Sequence, residues 1–149
     1  GTEFEDLINP IKKYFKQNES LLDYKITPRL LHLDFHRNNI FVKNDKITGI
    51  LDVEESLVGH NEYDLMRSEI HFKGHSRLRK EFFKAYEPFV KLDPGYQERR
   101  AFYSLSRSLV GVRCLVLWGS RHSKKEYLKE KNWIRSHITK ILKTNKLDL

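Results

Sequence analysis

Asp34 and Asn39 stand five residues apart in the stretch Leu31-His32-Leu33-Asp34-Phe35-His36-Arg37-Asn38-Asn39-Ile40-Phe41-Val42. A carboxylate at the first position can accept the proton of a substrate hydroxyl. An amide oxygen at the second can hold a magnesium ion, and phosphoryl transfer uses this pair of groups at this spacing. Asp, His and Asn are also common turn formers, because their side chains hydrogen-bond nearby backbone. The loop alone therefore decides nothing, and the segment after it carries the argument.

Ile40-Phe41-Val42-Lys43 and Ile47-Thr48-Gly49-Ile50-Leu51 are short apolar runs around Asn44-Asp45-Lys46, the pattern of a β-hairpin. With Asp45 and Lys46 at its tip, Lys43 faces Thr48, Phe41 faces Ile50, and Asn39 falls opposite Asp52. Opposed residues on antiparallel strands have Cβ atoms about 4.5–5.5 Å apart. Magnesium takes oxygen ligands at about 2.0–2.1 Å and usually keeps waters or phosphate oxygens. Asn39 and Asp52 are thus expected to share an ion, with Asp34 one loop away.

The spaced residues His32, Asp34, Asn39, Ile40, Asp52, Glu54, Gly59, Asp64 and Leu65 resemble the aminoglycoside phosphotransferase and choline kinase-like family. That family reads His-Gly-Asp-(four residues)-Asn-Ile-Leu, then Ile-Asp-Trp-Glu, then Gly-Asp-Pro-(two residues)-Asp-Leu. The match spans about residues 30–65. It implies the C-terminal lobe of a protein-kinase-like fold, mainly α with a short β-hairpin, and a requirement for ATP and Mg²⁺. Asp34 would be the catalytic base, and Asn39 and Asp52 the metal and nucleotide ligands. His32 would orient the loop, and Asp64 would cap the next helix and brace the loop. Leu33 replaces the family glycine, Val53 the tryptophan, and His60-Asn61 the Asp-Pro. These departures leave the base and ligands in place, and they are the support for a non-catalytic, pseudokinase alternative. Glu54 and Glu55 follow the metal aspartate and would face an amine-bearing acceptor such as an aminoglycoside, unless one of them is held in a salt bridge.

The whole chain, 149 residues, is enough for one domain with a sizeable core. The reading places a catalytic loop at 32–39, a hairpin at 40–51, a metal-binding segment at 52–65 and helices over 66–145. Leu7, Ile8, Ile11, Tyr14 and Phe15 give an N-terminal helix with Pro10 in its first turn. Tyr63–Phe72 begins the helical part. Leu78, Phe82, Tyr86 and Phe89 recur at helical spacing before the turn signal Asp93-Pro94-Gly95. Phe102, Leu105, Leu109, Val112 and Val116 predict a helix apolar on nearly all sides, stopped at Gly119. Tyr127, Ile134, Ile138 and Ile141 mark a last amphipathic helix.

The net charge is +8, and Lys124, Lys125, Lys129, Lys131, Arg135, Lys140 and Lys143 crowd the last helix. A solvated helix face is favoured there over a nucleic-acid surface, with Tyr127 and Trp133 packed inward. One cysteine, Cys114, excludes an internal disulfide and fits a reducing, cytoplasmic compartment. Its run, Leu109–Trp118, is broken by Arg113 and too short to span a membrane. His71 and His75 lack the further ligands that zinc needs.

The seven glycines are too dispersed for a phosphate-covering loop, and no strand lysine precedes the motif. The adenine-binding, N-terminal lobe is accordingly expected as a partner from the same protein, with a small-molecule acceptor as the other. The isolated chain should consume little or no ATP in the presence of magnesium, measured as ADP release; robust turnover would refute this expectation.

Overall fold

The computed structural model describes residues 2–23 and 25–147. The chain is mainly helical, a helical lobe of a kinase-like fold. Its elements are α1 (Glu5–Asn18), β1 (Arg29–Leu31), β2 (Ile40–Lys43), β3 (Lys46–Ile50), β4 (Leu57–Gly59), α2 (Asn61–Ile70), α3 (Ser76–Tyr86), α4 (Tyr96–Trp118) and α5 (Lys124–Thr144). They fall into two compact units, residues 2–23 with 97–147, and residues 25–96.

In the first unit an apolar stripe on each of three helices forms a shared core. Leu7, Ile11 and Tyr14 come from α1, Ala101, Phe102, Leu105 and Leu115 from α4, and Ile134, Ile138 and Ile141 from α5. The three isoleucines of α5 recur at spacings of four and three, so they share a helix face, and each is 1% exposed or less. Phe15 meets Phe102 edge to face at 4.9 Å between centroids, the arrangement aromatic quadrupoles favour. The start of α5 is fastened by a capping box between Ser123 and Glu126, which satisfies two otherwise orphaned groups. Its end adopts a left-handed conformation at Asn145 (φ 51°), and the Asn145 side chain accepts a 2.5 Å hydrogen bond from the Tyr14 hydroxyl.

Three expectations for this unit are corrected. α1 begins at Glu5, so Pro10 lies beyond the first turn and withholds a donor from the Asp6 carbonyl inside the helix. α4 is not apolar-buried on all sides, because Leu109, Val116, Leu117 and Trp118 are exposed. Periodicity cannot separate a buried apolar face from an exposed one when both sides carry apolar residues. Trp133 likewise does not pack inward; it is half exposed and stacks on His137 at 5.3 Å. Among the cations of α5, Lys131 bonds Glu3 at 2.9 Å. Arg135 grips Asp6 and holds its carboxyl below the usual range.

The second unit holds two separate antiparallel pairs, β1 with β4 and β2 with β3. The β1–β4 pair, with Leu31 opposite Leu57, was not anticipated from sequence, because three-residue strands carry too few positions for an alternation to show. The helices of this unit are tied through Glu69. This carboxylate is wholly buried, accepts 2.8 Å and 2.7 Å hydrogen bonds from Arg79 Nε and the Tyr96 hydroxyl, and so joins α2 to α3 and to the first residue of α4. A buried carboxylate is tolerated only when its lone pairs are satisfied in this way. α2 spans Asn61–Ile70 and α3 Ser76–Tyr86, within about one turn of the ranges predicted. No helix among the described residues is long and apolar enough to cross a membrane.

Gly119 begins the turn between α4 and α5, and a Cβ there would lie 2.6 Å from a ring carbon of Tyr127. The ring itself is held by its hydroxyl on Glu3. Gly119→Ala should therefore destabilise the fold by about 1–3 kcal/mol through overpacking, measured by denaturant unfolding; an unchanged midpoint would refute it.

Candidate active site

The loop that carries Asp34 is held at its start by backbone hydrogen bonds to a single carboxylate. Asp64, in the first turn of α2, accepts from His32 N at 2.9 Å and from Leu33 N at 3.0 Å. It therefore braces the loop and does not cap α2, whose N-cap is His60. His32 fastens the loop to the end of the hairpin. Its Nε2 donates to the Leu51 carbonyl at 2.8 Å, and its Nδ1 accepts from Asp34 N at 3.2 Å. Those two contacts together require the neutral ring protonated at Nε2.

Leu33, where the resembling family has glycine, lies at φ 65°. A left-handed conformation brings Cβ against the neighbouring carbonyl, at about 1–2 kcal/mol for a residue that is not glycine. The leucine side chain is nonetheless buried, 5% exposed.

The hairpin differs from its expected register. Asn44 and Asp45 form the tip, both at positive φ (51° and 58°), which is the two-residue turn whose twist matches antiparallel strands. Lys43 pairs with Lys46 and Val42 with Ile47. A bulge at Phe41/Val42 then shifts the pairing to Phe41 with Gly49 and Ile40 with Ile50. The register continues one step further, where the Asn39 carbonyl accepts from Leu51 N at 2.9 Å. Asn39 therefore faces Leu51, and Asp52 is the residue beyond it. Asp52 is exposed and turned into the left-handed region at φ 60°.

The Asp34 carboxylate is surrounded by donors. Asn39 Nδ2 donates to its Oδ2 at 3.1 Å and to its backbone carbonyl at 3.0 Å. His36 Nε2 lies 3.3 Å from the same Oδ2, while Arg67 Nη2 bonds Oδ1 at 3.2 Å. Among the described residues, Oδ1 has that one partner and so retains a lone pair for a further donor. With the Asn39 amide nitrogen committed to Asp34, its amide oxygen is the atom left for a ligand. It and the Asp52 carboxylate are hard oxygen donors, the kind magnesium takes.

Arg67 escaped the sequence reading. It also binds Glu55, so Glu55 is engaged with a cation, while Glu54 is exposed. The clue was local: Arg67 follows Asp64 by three residues on α2 and shares its face. A helix that turns Asp64 to the loop turns Arg67 there too. His36 went unread for a different reason, as one more polar residue in a loop full of them. His60 and Glu62, both buried, also approach each other at the start of α2, with Nδ1–Oε2 at 3.8 Å.

Beyond His36 lies a cavity of about 670 Å³, lined by loop residues 35–38 and by parts of α2, α3 and the turn between them. The imidazoles of His36 and His71 meet there edge to face at 5.0 Å. Desolvation holds the His71 ring below the usual imidazole range, His36 and Arg67 push in the same direction, and Asp34 partly opposes them.

The helical lobe with its short hairpin is that of a kinase-like fold, and the family to which the chain belongs lies in the protein-kinase-like superfamily. Within that superfamily, the chain belongs to the fructosamine kinase family, whose model matches residues 3–131. It is similar to a probable ketoamine kinase of Enterococcus faecium, with 34% identity over 98 residues that cover 63% of this chain and 34% of the relative. The chain thus spans about a third of the length of the curated relative it matches. No solved structure matches it significantly. The membership places the chain in a different family of the superfamily from the aminoglycoside phosphotransferases and choline kinases that its motifs resemble.

Leu33→Gly sets two effects against each other. Glycine would remove about 1–2 kcal/mol of backbone strain. Emptying the buried leucine site would cost about 2–5 kcal/mol. Burial wins, so the variant should be less stable, by roughly 1–3 kcal/mol, despite matching the resembling family at this position. Equal or higher stability in urea unfolding would show that strain dominates.

Proposed function

We propose that this chain is the acceptor-side catalytic lobe of an ATP-dependent kinase that phosphorylates a hydroxyl of a ketoamine, a sugar carrying a substituted amine. The observation that carries the reading is the Asp34 carboxylate, fixed by Asn39, His36 and Arg67 with a lone pair open on Oδ1. Membership of the fructosamine kinase family and similarity to a probable ketoamine kinase support the acceptor class.

In this reading the acceptor hydroxyl donates its hydrogen bond to Asp34 Oδ1. Its oxygen attacks the γ-phosphorus of ATP, the proton passes to Oδ1, and ADP leaves. Arg67 and Asn39 hold the carboxylate plane so that the open lone pair points in one direction, and Asp64 fixes the backbone beneath it. Asn39 and Asp52 would hold magnesium, which neutralises charge on the phosphates. The adenine cleft would come from a β-rich lobe of the same protein. Positioning and electrostatics account for most of the catalysis in such reactions.

An aminoglycoside acceptor is the second reading. The motif resemblance implies it, and the exposed Glu54 carboxylate suits a second amine. Competition between a ketoamine and an aminoglycoside for transfer distinguishes the two.

Replacing Asp34 with Asn keeps shape and removes the proton acceptor. In the full-length protein this should lower kcat by a factor of at least about 10², with an unchanged circular dichroism spectrum. Near-normal turnover would overturn the assignment.

A further inference from the structure

The cavity beside the base has a chemistry of its own. Much of its lining is apolar: Phe72 and Phe82 pack at 5.1 Å between centroids, and Leu78 lines it with them. Its cationic and imidazole groups are Arg37 from the loop, and His71 and His75 from the end of α2 and the start of α3. Among the described residues, no carboxylate lines it. His36 connects the two places, because it lines the cavity and also touches Asp34 Oδ2 at 3.3 Å. The volume, about 670 Å³, is in the range of small-molecule sites, which typically span about 300–1,000 Å³.

These features select a ligand. A permanently charged guanidinium in a cavity without acids attracts an anion and disfavours a second ammonium, and it fits a carboxylate in a two-pronged hydrogen bond. Paired phenyl rings favour an aromatic or branched apolar body. We infer that this cavity is the subsite for the amine substituent of the acceptor, and that it takes an aromatic or branched apolar group bearing a carboxylate. The acceptor would then be the ketoamine of an apolar α-amino acid, with Arg37 binding its carboxylate, Phe72, Phe82 and Leu78 holding its side chain, and its sugar hydroxyls reaching Asp34. This inference rests on the ketoamine reading above and adds the identity of the substituent.

The test uses the full-length protein and three ketoamines of one sugar: the phenylalanine adduct, the phenethylamine adduct, which lacks the carboxylate, and the lysine adduct linked through its side-chain amine. Binding is measured calorimetrically and transfer by phosphorus NMR. The phenylalanine adduct should bind about 10-fold or more tightly than the phenethylamine adduct, the factor that loss of a charged hydrogen bond brings. The lysine adduct, with its second ammonium, should bind more weakly than either. Arg37→Gln should remove the advantage of the phenylalanine adduct and leave phenethylamine binding unchanged, whereas Phe82→Ala should weaken both. Since Arg37 is exposed, its replacement does not threaten the fold, and the phenethylamine adduct reports on fold in the same sample. Equal binding of the first two adducts, or an unchanged preference in Arg37→Gln, overturns the subsite even when transfer is observed. Arg37-dependent binding without transfer sustains the subsite and overturns the kinase reading. Failure of all three adducts to bind overturns both.

Discussion

The Asp64 carboxylate, accepting from two successive backbone amides of the loop, is the constraint on which the candidate site depends. It turns two donors that would otherwise need water into charge-assisted hydrogen bonds to a rigid helix. Leu33 can occupy a left-handed conformation because its amide is held there and its side chain is buried. From that fixed point the chain reverses toward Asp34, and the backbone amide of Asp34 is caught in turn by His32. The loop is over-determined, which is how a strained residue persists in a folded protein.

The same helix supplies a second support. Arg67 extends from the face that presents Asp64 and reaches Asp34 Oδ1 and Glu55. One helix thus positions the loop backbone and orients the carboxylate the loop carries. Two acidic groups share one guanidinium, which binds oxygen pairs through a planar fork. The electrostatic character of the neighbouring surface follows. A carboxylate expected to face an acceptor amine is engaged with Arg67, and the adjoining cavity is basic and aromatic.

Local patterns in the sequence carry much of this. The spacing of Asp34 and Asn39 and the apolar runs around the polar turn carried the loop and the hairpin, which short-range geometry sets, while the resemblance of the motif residues to a known family carried the kinase-like fold. Four of the five helices could be placed to within about a turn from apolar spacing, while α4 begins at Tyr96, six residues ahead of the first apolar position of its predicted stripe. The hairpin tip was misread by one residue, since Asn44-Asp45 and Asp45-Lys46 are both polar pairs. The preference of Asn and Asp for positive φ was the deciding signal. The bulge at Phe41/Val42 was not legible, because an extra residue in one strand leaves no mark on a four-residue alternation. The β1–β4 pair joins residues nearly thirty positions apart, and neither strand is long enough to announce a partner.

The sequence by itself determined which chemical groups are present and which lie near one another along the chain: the Asp34 and Asp52 carboxylates, the Asn39 amide, and Asp64 on the helix that follows. Only the tertiary structure decided which atoms meet. Arg67 reaches Asp34 across 33 positions, His36 both approaches Asp34 and lines a cavity, and that cavity's lining is apolar and basic. The reason is physical. Hydrogen-bonding period and turn preference act over a few residues, whereas the partner of a carboxylate is chosen by the packing of whole elements, which no local pattern records.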